Sequence, residues 1–247
     1  MLIAAAMCPH PPVLIPAAMG EAGAGPELAG LRAACAAAVL GLVRSQPDLI
    51  AVAGSAPSSQ TYPWPSTGSL HRYGIPWSTG PGNPVLPLSL TVGTWLLIKA
   101  LADGAGGAGG PAVTLTAVAD GAGPAECRRL GESLAGAAAR VGLLVMGDGS
   151  AKKAIGVPGA PDAEAEAYDD GIAAALAAGD AGALGRLDPG RAAGLRVNGR
   201  APWQVLAGAA EGTAGMRGVL HHRSAPYDVS YLVASWAAGP GAAALAG

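Results

Sequence analysis

The chain has 247 residues, enough to bury a sizeable core in one large α/β domain or two small ones. Only 13% of residues are charged, about half the usual share, and the net charge is −2. With no basic stripe to displace phosphate counterions, nucleic acid is excluded as a partner.

The Lys152–Lys153 and Arg128–Arg129 pairs read as solvated helix or loop ends. No run of about eighteen apolar residues escapes Gly, Pro or charge, so no membrane-spanning helix is expected. The N-terminus lacks a basic n-region and reads as a buried strand rather than a signal peptide. Three cysteines, Cys8, Cys35 and Cys127, are odd in number and lack CxxC spacing, which fits buried free thiols in a reducing compartment. The expectation is a cytoplasmic chain without a membrane partner.

In chain order, "MLIAAAM" (1–7) reads as a buried strand and runs into "CPHPPVLIP", where His10 is wedged among prolines. A helix is predicted over 26–46, with Pro26 suited to the first turn and apolar positions on a 3–4 spacing. "DLIAVAG" (48–54) is a second strand. Residues 55–90 are rich in Pro, Gly, Ser and Thr without strong periodicity, the texture of a functional segment or one carrying short strands. A helix over 89–103, with Ser89 as its cap, leads into the glycine-rich loop 104–110. That loop follows a helix and precedes a strand, the reverse of the order a pyrophosphate site needs.

A strand over 111–119, a helix over 124–141 and a strand over 142–151 come next. The helix over 162–178 has acids in its first turn, favourable against the macrodipole. Shorter helices are predicted over 180–187, 189–194 and 203–212, with closing strands at 217–223 and 229–236. Strands alternating with helices predict a single α/β domain over 1–238, with a mostly parallel central sheet flanked by helices on both faces. Residues 239–247 form a Gly/Ala-rich tail.

Ligands in open α/β sheets bind at the carboxyl ends of strands. Three such ends carry candidate chemistry: His10, the 55–60 turn, and the turn from Asp148 to Lys152 with Ser150. His10 reads as a metal ligand or general base held by prolines, or as a turn histidine that only bonds its loop. Asp148 reads as a pocket carboxylate or an Asx turn. Ser150 has no nucleophile-elbow setting, so a metal-free hydrolase built on Ser150 and Asp148 ranks last. His71 reads as a loop residue. His221 and His222 are adjacent in a strand, which sends one to each face. Tyr62, Trp64, Tyr73 and Trp77 read as a stacking wall for a flat ligand or as a cluster pinning the loop.

Taken in order, "CPHPPVLIP", "PDLIAVAGSAP", "LLVMGDGSA", "PDAEAEAYDDGIAAALAAGDAGALGRLDP", "NGRAPWQVLAGAA" and "VSYLVASW" resemble the segments of the class III extradiol dioxygenase (LigB-type) superfamily, which includes MEMO-like proteins. The resemblance covers nearly the whole chain. It implies the fold, an Fe(II) site of two histidines and a carboxylate, an acid/base histidine, and O2-dependent opening of a catechol-like ring.

His10 matches the first ligand. The second should close the strand-two turn, where "GSAPSS" offers Pro57 or its neighbours, and Ala151 stands where the acid/base histidine belongs. The carboxylate has only Asp228, or more weakly Glu211, as a match. These replacements imply a catalytically degenerate member that binds a small molecule, such as an aromatic one, or a protein, with no cofactor. The alternative is an active non-haem iron dioxygenase in which His71, His221 or His222 joins His10. A homo-oligomer is left open.

Overall fold

The computed structural model describes residues 1–18, 25–104, 110–151, 163–213 and 215–239. Lys152, Lys153, most of the glycine-rich loop and nearly all of the tail lie outside the described residues.

A seven-stranded sheet organises the domain, in the order β3-β4-β2-β5-β1-β7-β6. Its centre is formed by β4 (Ala112–Ala119), β2 (Leu49–Ala56), β5 (Val141–Met146) and β1 (Leu2–Cys8), all parallel. The remaining strands run antiparallel to their neighbours: β3 (Gln60–Tyr62) on β4, β7 (Tyr231–Ala238) on β1, and β6 (Met216–Ser224) on β7. The sheet is therefore mixed rather than mostly parallel. A short connection accounts for one of these pairs: β6 and β7 are joined by a few residues, too few for the crossover that parallel strands need.

Side-chain alternation splits the core in two. Ala4, Ala6 and Cys8 of β1, with Ile50, Val52, Leu144 and Met146, pack beneath α1 (Pro26–Arg44) and α2 (Leu88–Gly104). Ala5, Met7, Ala51, Ala53, Leu143 and Val145 pack with α3 (Pro124–Gly136), α4 (Ala163–Ala178) and α7 (Arg200–Ala210). Leu2 joins this second set because the β1–β5 register shifts between Leu2 and Ala4.

The abundance of Ala and Gly has a packing consequence, because small side chains let helices settle close. A Cβ on Gly131 of α3 would lie 2.1 Å from the Val205 carbonyl oxygen of α7, and one on Gly93 of α2 would lie 2.9 Å from Met146. By length and apolarity (mean hydropathy 1.5), α1 is long enough to cross a membrane. Its Leu28, Leu31, Cys35, Val39 and Leu42 are buried in the first core cluster.

Several helix bounds differ from expectation. The helix predicted to 141 stops at Gly136, and Ser89 lies inside α2, where its hydroxyl donates to the Ser55 carbonyl at 2.6 Å instead of capping. Short helices α5 (Ala181–Gly185) and α6 (Pro189–Gly194) are capped by Asp180 and Asp188, whose carboxylates accept from Ala183 and Arg191 N–H groups.

Candidate functional site

Strands β1 and β5 are neighbours in the sheet, yet the segments that follow them leave on opposite sides. After β1 the chain enters α1, which packs in the first core cluster, and after β5 it enters α4, which packs in the second. In open α/β sheets, a divergence of this kind at the carboxyl ends of neighbouring strands is where a ligand crevice forms. His10 follows β1 and Asp148 follows β5, so the topology brings the two predicted residues together.

Their geometry is specific. The His10 backbone N–H donates to Asp148 Oδ1 at 2.8 Å, and Asp148 Oδ2 lies 3.5 Å from His10 Nε2. Both residues are buried, His10 being 5% exposed. One carboxylate thus accepts from the histidine's backbone and lies beside one edge of its ring. The other ring nitrogen, Nδ1, is buried with no hydrogen-bond partner among the described residues.

Asp148 is itself held by a braced turn. Gly147 N–H donates to the Cys8 carbonyl (3.0 Å), Gly149 N–H to the Ser230 carbonyl (2.8 Å), and Gly199 N–H to the Asp148 carbonyl (2.8 Å). Ser150 donates through its backbone N–H to Asp169 Oδ1 at 3.0 Å and through its hydroxyl to Asp169 Oδ2 at 2.7 Å. Asp169 on α4 is completely buried. Ser150 is therefore tied to the turn's scaffold through both its N–H and its hydroxyl.

Tyr231 of β7 is also buried, and that burial followed by the Asp148 charge pushes its phenol well above the ordinary range. The Cys8 side chain, then burial, pushes the Cys35 thiol well up. A thiol so placed stays protonated and is a poor metal ligand or nucleophile.

The other histidines are occupied elsewhere. His71 is exposed, with Nδ1 2.5 Å from Ser69 Oγ, and lines a separate cavity of about 400 Å³ with Pro57, Ser58 and Tyr62. His221 Nε2 pairs with Ser235 Oγ at 2.7 Å, and His222 Nε2 with Ser224 Oγ at 2.9 Å.

A register shift between Leu220 and His222 places both histidines opposite Val233, so they share the α1 face. The alternation that would separate them is broken by the bulge. Asp228 sits in a short 3-10 turn at a positive φ of 60°, and Glu211 ends α7, where it accepts from Arg128 at 2.8 Å. Both are exposed. Tyr62, Trp64 and Trp77 pack against the first core cluster, which is the loop-pinning role, whereas Tyr73 is exposed.

The donor set falls short of an iron site. One imidazole and one carboxylate meet at the crevice, and no group of three His, Cys, Asp or Glu arranged to hold a metal occurs among the described residues. A ferrous site with open positions takes about three protein ligands in a facial array. The described residues do not fit one.

Three polar groups at the ends of β4 and α7 escaped sequence reading. Asp120 directly follows β4, and partial burial raises its carboxyl, an effect that His10 and Arg200 offset only in part. Arg200 is buried at the start of α7, donating to the Asp120 and Ala122 carbonyls and to Gln204 Oε1. Arg196 has a φ of 55° and precedes α7. Asp120 was findable, since it directly follows a strand; the arginines gave no sequence signal.

Among solved structures, the chain is similar to that titled "Crystal structure of uncharacterized protein JW3007 from Escherichia coli K12", with a TM-score of 0.51 and 13% identity over 94% of this chain and 99% of that one. The likeness shows the fold alone. No family model and no curated protein matches.

Proposed function

We propose that this is a LigB/MEMO-like α/β protein, with helices on both faces of its sheet, that binds a small aromatic molecule at the β1–β5 crevice without the ring-opening iron chemistry of the extradiol dioxygenases. The observation that carries the reading is the His10 ring. Asp148 accepts from the backbone N–H and lies beside one edge of the ring, while the buried Nδ1 has no partner among the described residues. An unpaired buried polar atom costs about 1–3 kcal/mol, so a ligand hydroxyl that meets Nδ1 recovers stability the free protein forgoes.

Chemically, the pair can hold a ligand proton in line with the ring, and Asp148 keeps the ring from rotating away. The order of segments along the chain supports the superfamily assignment, and the shared fold is compatible with it.

The test is side-chain 15N NMR of the four histidines during titration with catechol and 4-methylcatechol. The expected result is a shift of the His10 ring signals alone, lost in His10→Gln. Oxygen uptake after anaerobic Fe(II) loading is the companion assay. Catechol-dependent uptake abolished by His10→Gln establishes the iron dioxygenase instead, and an unmoved His10 signal removes the binding reading.

A further inference from the structure

A second cavity, of about 400 Å³, opens where the β4 and β5 ends meet the α6–α7 connection. Asp120, Ala151, Arg196, Asn198 and Arg200 supply its polar and site-facing wall, and Pro189 and Ala192 belong to its apolar side. Its size lies in the range that holds a small organic ligand. Ala151 follows the turn that carries Asp148, so the cavity adjoins the crevice proposed above as the binding site.

Its charge is unbalanced. Arg200 is 3% exposed, and its guanidinium donates only to the uncharged Asp120 and Ala122 carbonyls and the Gln204 amide oxygen. No carboxylate lies within ion-pair reach of it among the described residues. Arg196 is exposed at the cavity wall and likewise has no ion-pair partner among them. Desolvating a guanidinium is costly; the neutral acceptors repay part of it, and the Asp120 carboxylate, beyond ion-pair contact but electrostatically coupled to Arg200, offsets a further part. Two arginines and an asparagine amide around one cavity make a fork for a planar oxyanion.

From this juxtaposition we infer that the cavity recognises an oxyanion, a carboxylate or phosphate, carried by the small aromatic ligand, with Arg196 as the principal contact and Arg200 as the buried charge behind it. Asp120 is the one acid in the wall and sets a limit. It repels the anion unless the ligand sits toward Arg196 and Asn198. Asp120→Asn therefore tightens anion binding, and Arg196→Gln weakens it. The anion preference rests on the reading that the adjoining crevice is the ligand site.

Calorimetry with benzoate, phenyl phosphate and neutral benzamide tests it in the full chain. Benzoate or phenyl phosphate binds, benzamide binds at least about tenfold more weakly, and Arg196→Gln costs the anion about tenfold or more, as expected for a lost charge-assisted contact. Arg196→Lys retains part of the affinity, and circular dichroism establishes that both variants are folded. The relative affinities of benzoate and phenyl phosphate identify which oxyanion the site prefers.

Equal binding of benzoate and benzamide, no binding of either anion, or no effect of Arg196→Gln overturns the inference. The two readings fail separately. Anion binding sensitive to Arg196 with unmoved His10 ring signals removes the crevice reading alone, whereas catechol-shifted His10 signals with no anion preference remove only this one.

Discussion

Asp169 carries the turn that presents Asp148, and replacing it tests the whole arrangement. In Asp169→Ala the Ser150 backbone N–H and hydroxyl lose acceptors at 3.0 and 2.7 Å inside a site where both residues are fully buried. Each buried group left unpaired costs about 1–3 kcal/mol, partly offset because a buried carboxylate no longer has to be desolvated, so a net loss of about 2–5 kcal/mol is expected. In a chain of this size that corresponds to a fall in Tm of about 2–4 °C per kcal/mol.

Asp169→Asn keeps one oxygen for the Ser150 N–H and presents an amide to a hydroxyl that can turn, so its cost is smaller, about 1–2 kcal/mol. Urea unfolding at neutral pH gives both values, with the m-value expected to stay constant. The His10 ring signals should also move in Asp169→Ala without ligand, because the Asp148 carboxylate that holds the ring loses its brace. An Asp169→Ala protein within about 0.5 kcal/mol of the parent refutes the brace, since surface substitutions alone vary by that much.

Two helix glycines should respond oppositely to alanine. Gly131→Ala drives a Cβ to 2.1 Å from the Val205 carbonyl oxygen and forces α3 off α7, a loss of about 1–3 kcal/mol or more by urea unfolding. Gly171→Ala, on the exposed side of α4 with nothing within 4 Å, should stabilise by up to about 1 kcal/mol. Burial lowers the His221 imidazole below its ordinary value of 6.5. The unfolded chain therefore takes up that proton first, and stability falls as pH drops from 6.5 to the lowered folded value. His221→Gln should flatten the pH dependence of the urea midpoint in that window, and an unchanged slope rejects the assignment. Glu211→Gln breaks an exposed contact with Arg128 and should cost under about 1 kcal/mol in urea unfolding while leaving catechol titrations unaltered.

The alternation of strands and helices was legible because fully buried strands are short apolar runs and α1 announces itself with Pro26. Bounds failed where tertiary contacts overrule composition. The run 137–140 is as alanine-rich as a helix, yet Arg140 N–H donates to Asp48 Oδ2 at 2.9 Å and the chain turns into β5. Helix α7 begins at Arg200, earlier than its apolar run, because Pro202 fits a first turn and Arg200 is tied to the end of β4. Strand β3 pairs with β4, a partner more than 50 residues away in the chain, which no local pattern reveals. At the site, His10 and Asp148 were visible as strand-end residues. Asp169 was not, because in sequence it is one acid on an acid-rich helix, and only the packing of α4 turns it inward.

The buried histidine explains more if its crevice has an occupant than if it is empty scaffold. A proline-held turn needs no imidazole: an apolar side chain of similar volume would fill the space without an unpaired nitrogen. Asp148 could brace the His10 backbone N–H at 2.8 Å whatever side chain stood there. The ring is thus an added cost, and Ser230, whose own hydroxyl is buried without a partner among the described residues, adds another on the far side of the same turn. Two unpaired polar atoms beside the turn that carries Asp148, at the carboxyl ends of neighbouring strands, are the donors and acceptors a bound molecule would satisfy.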